Sequence, residues 1–207
     1  MGIVIKNNPI GVDKVITKLQ EYMYTELINN GWTNYECYHR AYRNIKTVGS
    51  GNYVPETYTA SSVNTGQYEE VLLNDRNNST SFFTVGNNTT SNNGLFTTDI
   101  SVIFQINTEN LYSNVTHRAD EEAKNDVVVS IKESGFGKYI TSIVTQVEDV
   151  YNEFDYTNLE TDDMHPYFVF RVNMTVPVDY KCDYYCTYPI ENEVLGGFNY
   201  VLDFLLA

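Results

Sequence analysis

Basic residues are scarce in this chain: 13 Lys and Arg stand against 27 Asp and Glu, for a net charge of −14. Gripping nucleic acid needs clustered basic side chains that neutralise phosphates and release counterions, so the balance argues against a nucleic-acid binder. It argues equally against docking on an anionic membrane. It is compatible with a surface that stays close to DNA without sticking to it. No apolar run approaches the length of a membrane span; Tyr200–Leu206 is far too short. Residues 1–6 lack the basic region and apolar core of a secretory signal, and the expectation is a protein that is intracellular when made, with no membrane anchor. The sequons at Asn78, Asn88, Asn114 and Asn173 then read as chance products of Asn and Thr richness.

Cysteine is sparse too. Cys37, Cys182 and Cys186 make an odd number, and the spacing of the last two lacks a nearby second Cys/His pair to complete a zinc site. The histidines His39, His117 and His165 fall in separate elements. Asp162-Asp163-Met164-His165 has no second cluster to close a coordination shell, so no metal and no cofactor is expected. Phosphate loop, nucleophile elbow and dinucleotide fingerprint are all missing. Gly49-Ser50-Gly51 and Gly135-Phe136-Gly137 read as turns. Glu69-Glu70 and Glu121-Glu122 are the adjacent acids expected by chance in an acidic chain, rather than a glycosidase pair. The expectation is a protein without catalytic residues.

What is present is aromatic and β-prone: 18 Tyr and 10 Phe beside a single Trp. A helix is predicted from about Pro9 to Asn30, because Val12, Val15, Ile16, Leu19, Met23 and Leu27 form one apolar stripe. Asn8 is the expected cap, Asn30-Gly31 the stop, and Trp32 is expected to pack under the helix end. Short strands are predicted at Tyr35–Tyr38, Tyr53–Tyr58, Tyr68–Leu73 and Ser81–Val85. Ile100, Val102, Phe104 and Ile106 alternate with Asp99, Ser101, Ile103 and Gln105, a strand expected to bury one face. A second helix is predicted over Val115–Ser134, capped by Ser113 or Asn114, with Gly135 at its end. Residues 139–150 are ambiguous between strand and helix, with a β-branched load favouring strand. The alternation from Tyr167 to Val178 makes the clearest strand of all.

These elements predict an α+β fold: an antiparallel sheet with two helices on one face, in a single domain over residues 1–180, followed by a C-terminal extension at 181–207. Between Asn74 and Gly94 the chain is almost wholly polar, with Phe82, Phe83 and Val85 as the apolar exceptions. A loop that long needs a task, and the expectation is a projecting β-hairpin arm whose Phe82, Phe83 and Val85 meet a neighbouring subunit. From Tyr139 to Phe170 no Lys or Arg occurs, while Glu148, Asp149, Glu153, Asp155, Glu160, Asp162 and Asp163 accumulate. Alone, that run is a solvated acidic face.

The layout of helix, strands, exposed arm, strand, helix and strand resembles the neck proteins of tailed bacteriophages, above all the tail-terminator and tail-completion group and the ring proteins below the portal in crAss-like phages. The likeness is carried by Val12–Leu27, by the strand-to-helix passage Asp99–Ser134, and by the late strand Met164–Val176. It is one of layout, since none of these stretches is a signature motif. The resemblance implies a structural virion protein that forms a six- or twelve-fold homo-oligomeric ring. It implies contacts with the portal and other neck and tail proteins, and double-stranded DNA passing through without specific binding. The seven acids named above are then expected to face the channel. A β-rich carbohydrate- or protein-binding module, with tyrosines as stacking surfaces, is the alternative.

Overall fold

A computed structural model describes residues 2–45, 53–59, 68–71, 77–90, 96–112, 118–155 and 164–178. The elements are α1 (Val12–Asn29), β1 (Tyr35–Arg40), β2 (Tyr42–Ile45), β3 (Tyr53–Tyr58), β4 (Tyr68–Glu70), β5 (Ser79–Thr90) and β6 (Phe96–Asn107). There follow α2 (Thr108–Leu111), α3 (Asp120–Glu133), a 3-10 turn at Gly137–Tyr139, β7 (Ile140–Val144), α4 (Val147–Val150) and β8 (Tyr167–Val178). The fold is α+β, as expected. The extension at 181–207 lies outside the described residues.

The stripe of α1 is its core face: Val12, Val15, Ile16, Leu19, Met23 and Leu27 are all buried. The helix starts later than Pro9 because Asn8 and Gly11 both take positive φ, which breaks the helical path just upstream of Val12. Gly11 therefore occupies the cap position in place of Asn8, with no side-chain cap. At the other end Gly31 turns left-handed (φ 93°), and Trp32 N–H reaches back to the Leu27 carbonyl at 3.0 Å. The Trp32 ring is buried under the helix end, and its Nε1 donates to Asp126 of α3 at 3.0 Å. α3 buries Ala123, Val127 and Ile131, and Gly135 follows it at φ 81°. The expected caps Ser113 and Asn114 lie outside the described residues.

Five strands form the main sheet in the order β1-β5-β6-β8-β7; β1 runs parallel to β5 and the other pairs are antiparallel. α1 and α3 contribute to one core with Phe83, Val102, Phe104, Phe170 and Val172. The expectation that β6 buries a single face is corrected. Ile103 and Gln105 are as fully buried as their neighbours, because a second core of Ala41, Val71, Phe82, Ile103, Val147, Val150, Tyr151, Phe154 and Val169 covers the opposite side. Burying each such large apolar side chain contributes about 1.5–3 kcal/mol, so neither layer is dispensable. The ambiguous stretch divides: Ile140–Val144 is strand and Val147–Val150 a single helical turn. A smaller antiparallel sheet, β2-β3-β4, includes β2, which periodicity did not reveal.

Candidate functional site: interaction surfaces and buried polar clusters

Phe82 and Phe83 are not interface residues on a free arm. β5 is an interior strand, with β1 on one side and β6 on the other, and consecutive side chains on it point to opposite faces. Phe83 enters the helix-side core. Phe82 enters the second core, 6.2 Å from the Phe154 ring in an edge-on contact. Both are fully buried, and Val85 is partly buried against the helix-side core. The strand expected at Ser81–Val85 is present within β5, and the polar context of the segment concealed only that its inner half is core. Its continuation still pairs as a hairpin, with Asn88 opposite Thr98 and Thr90 opposite Phe96. Residues 74–76 and 91–94 of the expected arm lie outside the described residues.

The acidic run is divided among different environments. α4 turns Val147 and Val150 inward, which leaves Glu148 and Asp149 exposed. Glu153 is only partly exposed and pairs with Arg171, Nη2 to Oε1 at 2.9 Å. Asp155 is half-buried, and its backbone N–H donates to the Tyr53 carbonyl at 2.7 Å. Glu160, Asp162 and Asp163 lie outside the described residues. Glu153 is therefore not a free channel-facing charge.

Arg171 is the polar centre of the second face. Nε donates to Asn173 Oδ1 at 2.8 Å. Nη1 donates to Asn152 Oδ1 at 2.9 Å and to the Val150 carbonyl at 3.3 Å. Nη2 donates to Glu153 Oε1 at 2.9 Å and to Thr84 Oγ1 at 3.3 Å. Those contacts occupy all five N–H groups of a guanidinium, leaving none for an anionic ligand. The arginine stitches β8 to β5 and to the α4 segment.

A second cluster joins the N-terminal segment, α1 and β1. The Asp13 carboxylate receives the Lys6 ammonium and sits 3.9 Å from Arg40 Nη1. His39 Nε2 is 3.2 Å from Thr17 Oγ1 and 3.3 Å from the Asp13 carbonyl oxygen. A hydroxyl beside an imidazole is the arrangement of an activated nucleophile. Here Thr17 gives its proton to the same Asp13 carbonyl at 2.9 Å, and that carbonyl can only accept. Nε2 must carry the proton to bond it, so His39 is a donor here rather than a base for Thr17. Burial holds His39 below its ordinary pKa; the Asp13 carboxylate pulls the other way, and Lys6 and Arg40 reinforce the depression.

Cys37 is buried on β1, accepts from Ser81 Oγ at 3.3 Å, and is pushed up to about 11 by burial. A nucleophilic cysteine needs the opposite shift. His165 Nε2 lies 3.0 Å from Glu109 Oε1 at the surface. His117, Cys182, Cys186, Asp162 and Asp163 lie outside the described residues. Among the described residues no group of three or more His, Cys, Asp or Glu could hold a metal, and no helix is long and apolar enough to cross a membrane.

One surface was not foreseen. On the outer face of the small sheet Tyr68 contacts Tyr42 (centroids 5.6 Å apart) and Tyr58 (5.9 Å), both in edge-on geometry. Tyr42 and Tyr68 remain 37% and 41% exposed, and Arg40 lies 5.1 Å over the Tyr42 ring. Strand register creates this cluster: Tyr58 is paired with Tyr68, and Glu56 brings Tyr42 alongside from β2. Each tyrosine belongs to a different strand, so the only sequence signal was the tyrosine content itself. Comparisons with protein-family models, curated proteins and solved structures give no match to this chain.

Proposed function

We propose that the chain is a non-enzymatic structural protein of the neck or tail of a tailed bacteriophage. In this reading it forms a six- or twelve-fold ring that links the portal to other neck and tail proteins and passes double-stranded DNA without binding it specifically. The observation that carries the assembly reading is the Tyr42–Tyr58–Tyr68 cluster, in which Tyr68 contacts both other rings while Tyr42 and Tyr68 each keep more than a third of their surface open to solvent. Tyrosine and arginine in contact at a surface are the residue types that dominate protein–protein hot spots. The internal commitments of Arg171, His39 and Cys37 support a non-enzymatic role, because each potentially reactive group is spent on the fold. The net charge of −14 supports passage of DNA without adhesion, with Glu148 and Asp149 as the exposed acids that would face the channel.

Native mass spectrometry with electron microscopy of the purified chain tests the reading. Closed rings of six or twelve copies are expected, and a monomer at concentrations of tens of micromolar overturns it. The same tyrosine cluster also favours a second reading, a carbohydrate- or protein-binding module, since exposed rings stack on sugar faces. A monomer whose melting temperature rises with a saccharide would select that reading.

A further inference from the structure

The tyrosine face of the small sheet also carries carboxylates. Cross-strand partners point to the same side of an antiparallel sheet, and the register pairs Tyr42 with Glu56, Glu56 with Glu70, and Tyr58 with Tyr68. Two carboxylates therefore stand side by side among three tyrosines. Like charges directly opposite one another destabilise a strand pair, and a cation laid over them removes that cost. The rings suit the same kind of group. Tyr68 meets Tyr42 at 85° and Tyr58 at 70°, and crossed rings of this kind offer π-faces, which attract cations, beside their edges. Guanidinium groups already use the tyrosines of this sheet: Arg40 lies 5.1 Å over Tyr42, and on the reverse side Arg43 lies 4.0 Å over Tyr53. A guanidinium fits such a surface better than an ammonium, because it is planar, more weakly hydrated, and bonds carboxylates as a fork.

On the reading that this face is an assembly interface, we propose that it receives Arg118 of a neighbouring copy between its tyrosines and the Glu56–Glu70 pair. The other arginines among the described residues are committed within their own copy. Arg40 sits over Tyr42 and 3.9 Å from Asp13, Arg43 sits over Tyr53, and the N–H groups of Arg171 are all spent inside. Arg118 is 51% exposed and makes a single ion pair, Nη2 to Asp120 Oδ2 at 2.8 Å, which leaves most of its donors to a partner. Its place in the fold agrees. Arg118 stands just before α3, which packs into the helix-side core, whereas Val71, beside β4, belongs to the second core on the opposite face of the main sheet. Donor and acceptor thus belong to different layers of one copy, and their union joins copies head to tail. Such a heterologous contact closes into a ring when the rotation between copies permits. It also gives an acidic chain a way to self-associate, since each junction sets one of its few basic groups against carboxylates.

Sedimentation velocity of the full chain over a dilution series tests this, with Arg118→Glu, Glu56→Arg and the two combined. Each single variant is expected to associate about tenfold more weakly than the wild type, because it sets like charges together. The double variant restores an opposite pair and is expected to recover most of that loss. If rings form but Arg118→Glu associates as the wild type does, or the double variant is as weak as the two losses added, the proposal is overturned and the assembly reading stands. A wild type that stays monomeric overturns both. A photo-reactive benzophenone in place of Tyr58 gives a readout that does not depend on how the charge variants fold. Irradiation of the assembled protein is expected to link it to the peptide holding Arg118 in another copy, read by mass spectrometry of the dimer band. Cross-links confined to other peptides overturn the proposal.

Discussion

Arg171 Nη2 donates to Glu153 Oε1 at 2.9 Å across the buried second face of the sheet. The pair joins the middle of β8 to the acidic segment after α4, so one member of an otherwise solvated acidic run is structural. Removing one partner of a buried ion pair strands the other charge, at about 3–5 kcal/mol. Glu153 is partly exposed, which brings its loss down to or somewhat below the lower end of that range.

Glu153→Lys is therefore expected to lower unfolding free energy by about 2–3 kcal/mol, since it sets a second cation against Arg171. Glu148→Lys and Asp149→Lys, on the exposed side of α4, should stay within about 0.5 kcal/mol of wild type. Urea unfolding measures all three. Equal effects at the three positions would mean that the Arg171 pair contributes nothing.

Phe82→Ala and Phe83→Ala should each cost about 3–5 kcal/mol, because each leaves a cavity in a different core layer. Leu19→Ala and Ile131→Ala should cost about 2–5 kcal/mol from the helix side. Loss of assembly with an unchanged melting temperature in either Phe variant would restore the arm assignment that burial contradicts.

The helices and long strands were legible in the sequence because each carries its own period. Val12 to Leu27 marks one stripe, and Tyr167 to Val178 alternates without interruption. Phe82 and Phe83 were misplaced for a local reason. A strand buried on both faces but built from Ser and Thr around two Phe reads as part of an exposed hairpin arm, and only its neighbours β1 and β6 reveal it as interior. The second core was hidden for the same reason, since Ile103 and Val169 looked like the outward half of an alternation. The Arg171 network and the tyrosine cluster depend on register between distant strands, which no local window contains.

His39 links stability to acid. Its folded pKa lies below the ordinary value near 6.5, so the unfolded chain binds a proton that the native state resists. The stabilising contribution is complete above about pH 6.5 and is lost as pH falls toward the folded pKa. His39→Gln is expected to flatten the fall in stability between about pH 6.5 and 5, above the usual carboxylate range. Denaturant midpoints measured across that interval check it. An unchanged slope would show that His39 titrates alike in both states.

Tyr68 sits between Tyr42 and Tyr58 on the small sheet, and its replacement tests whether that surface is an interface. Within a monomer, Tyr68→Ala removes two edge-on contacts at a partly exposed site, each worth about 0.5–1.5 kcal/mol at most. At an assembled interface the same ring is desolvated by the neighbouring copy, and central tyrosines there cost about 2 kcal/mol or more when truncated. The expected outcome is a small change in melting temperature with self-association weakened at least tenfold, about 1.4 kcal/mol. Tyr68→Phe keeps the ring and should recover most of that loss. Sedimentation velocity over a dilution series separates the cases. If Tyr68→Ala associates as wild type does, the cluster lies on a free surface and the ring contacts are made elsewhere. If the wild type is monomeric and Tyr68→Ala abolishes a saccharide-dependent rise in melting temperature, the cluster is a sugar platform instead.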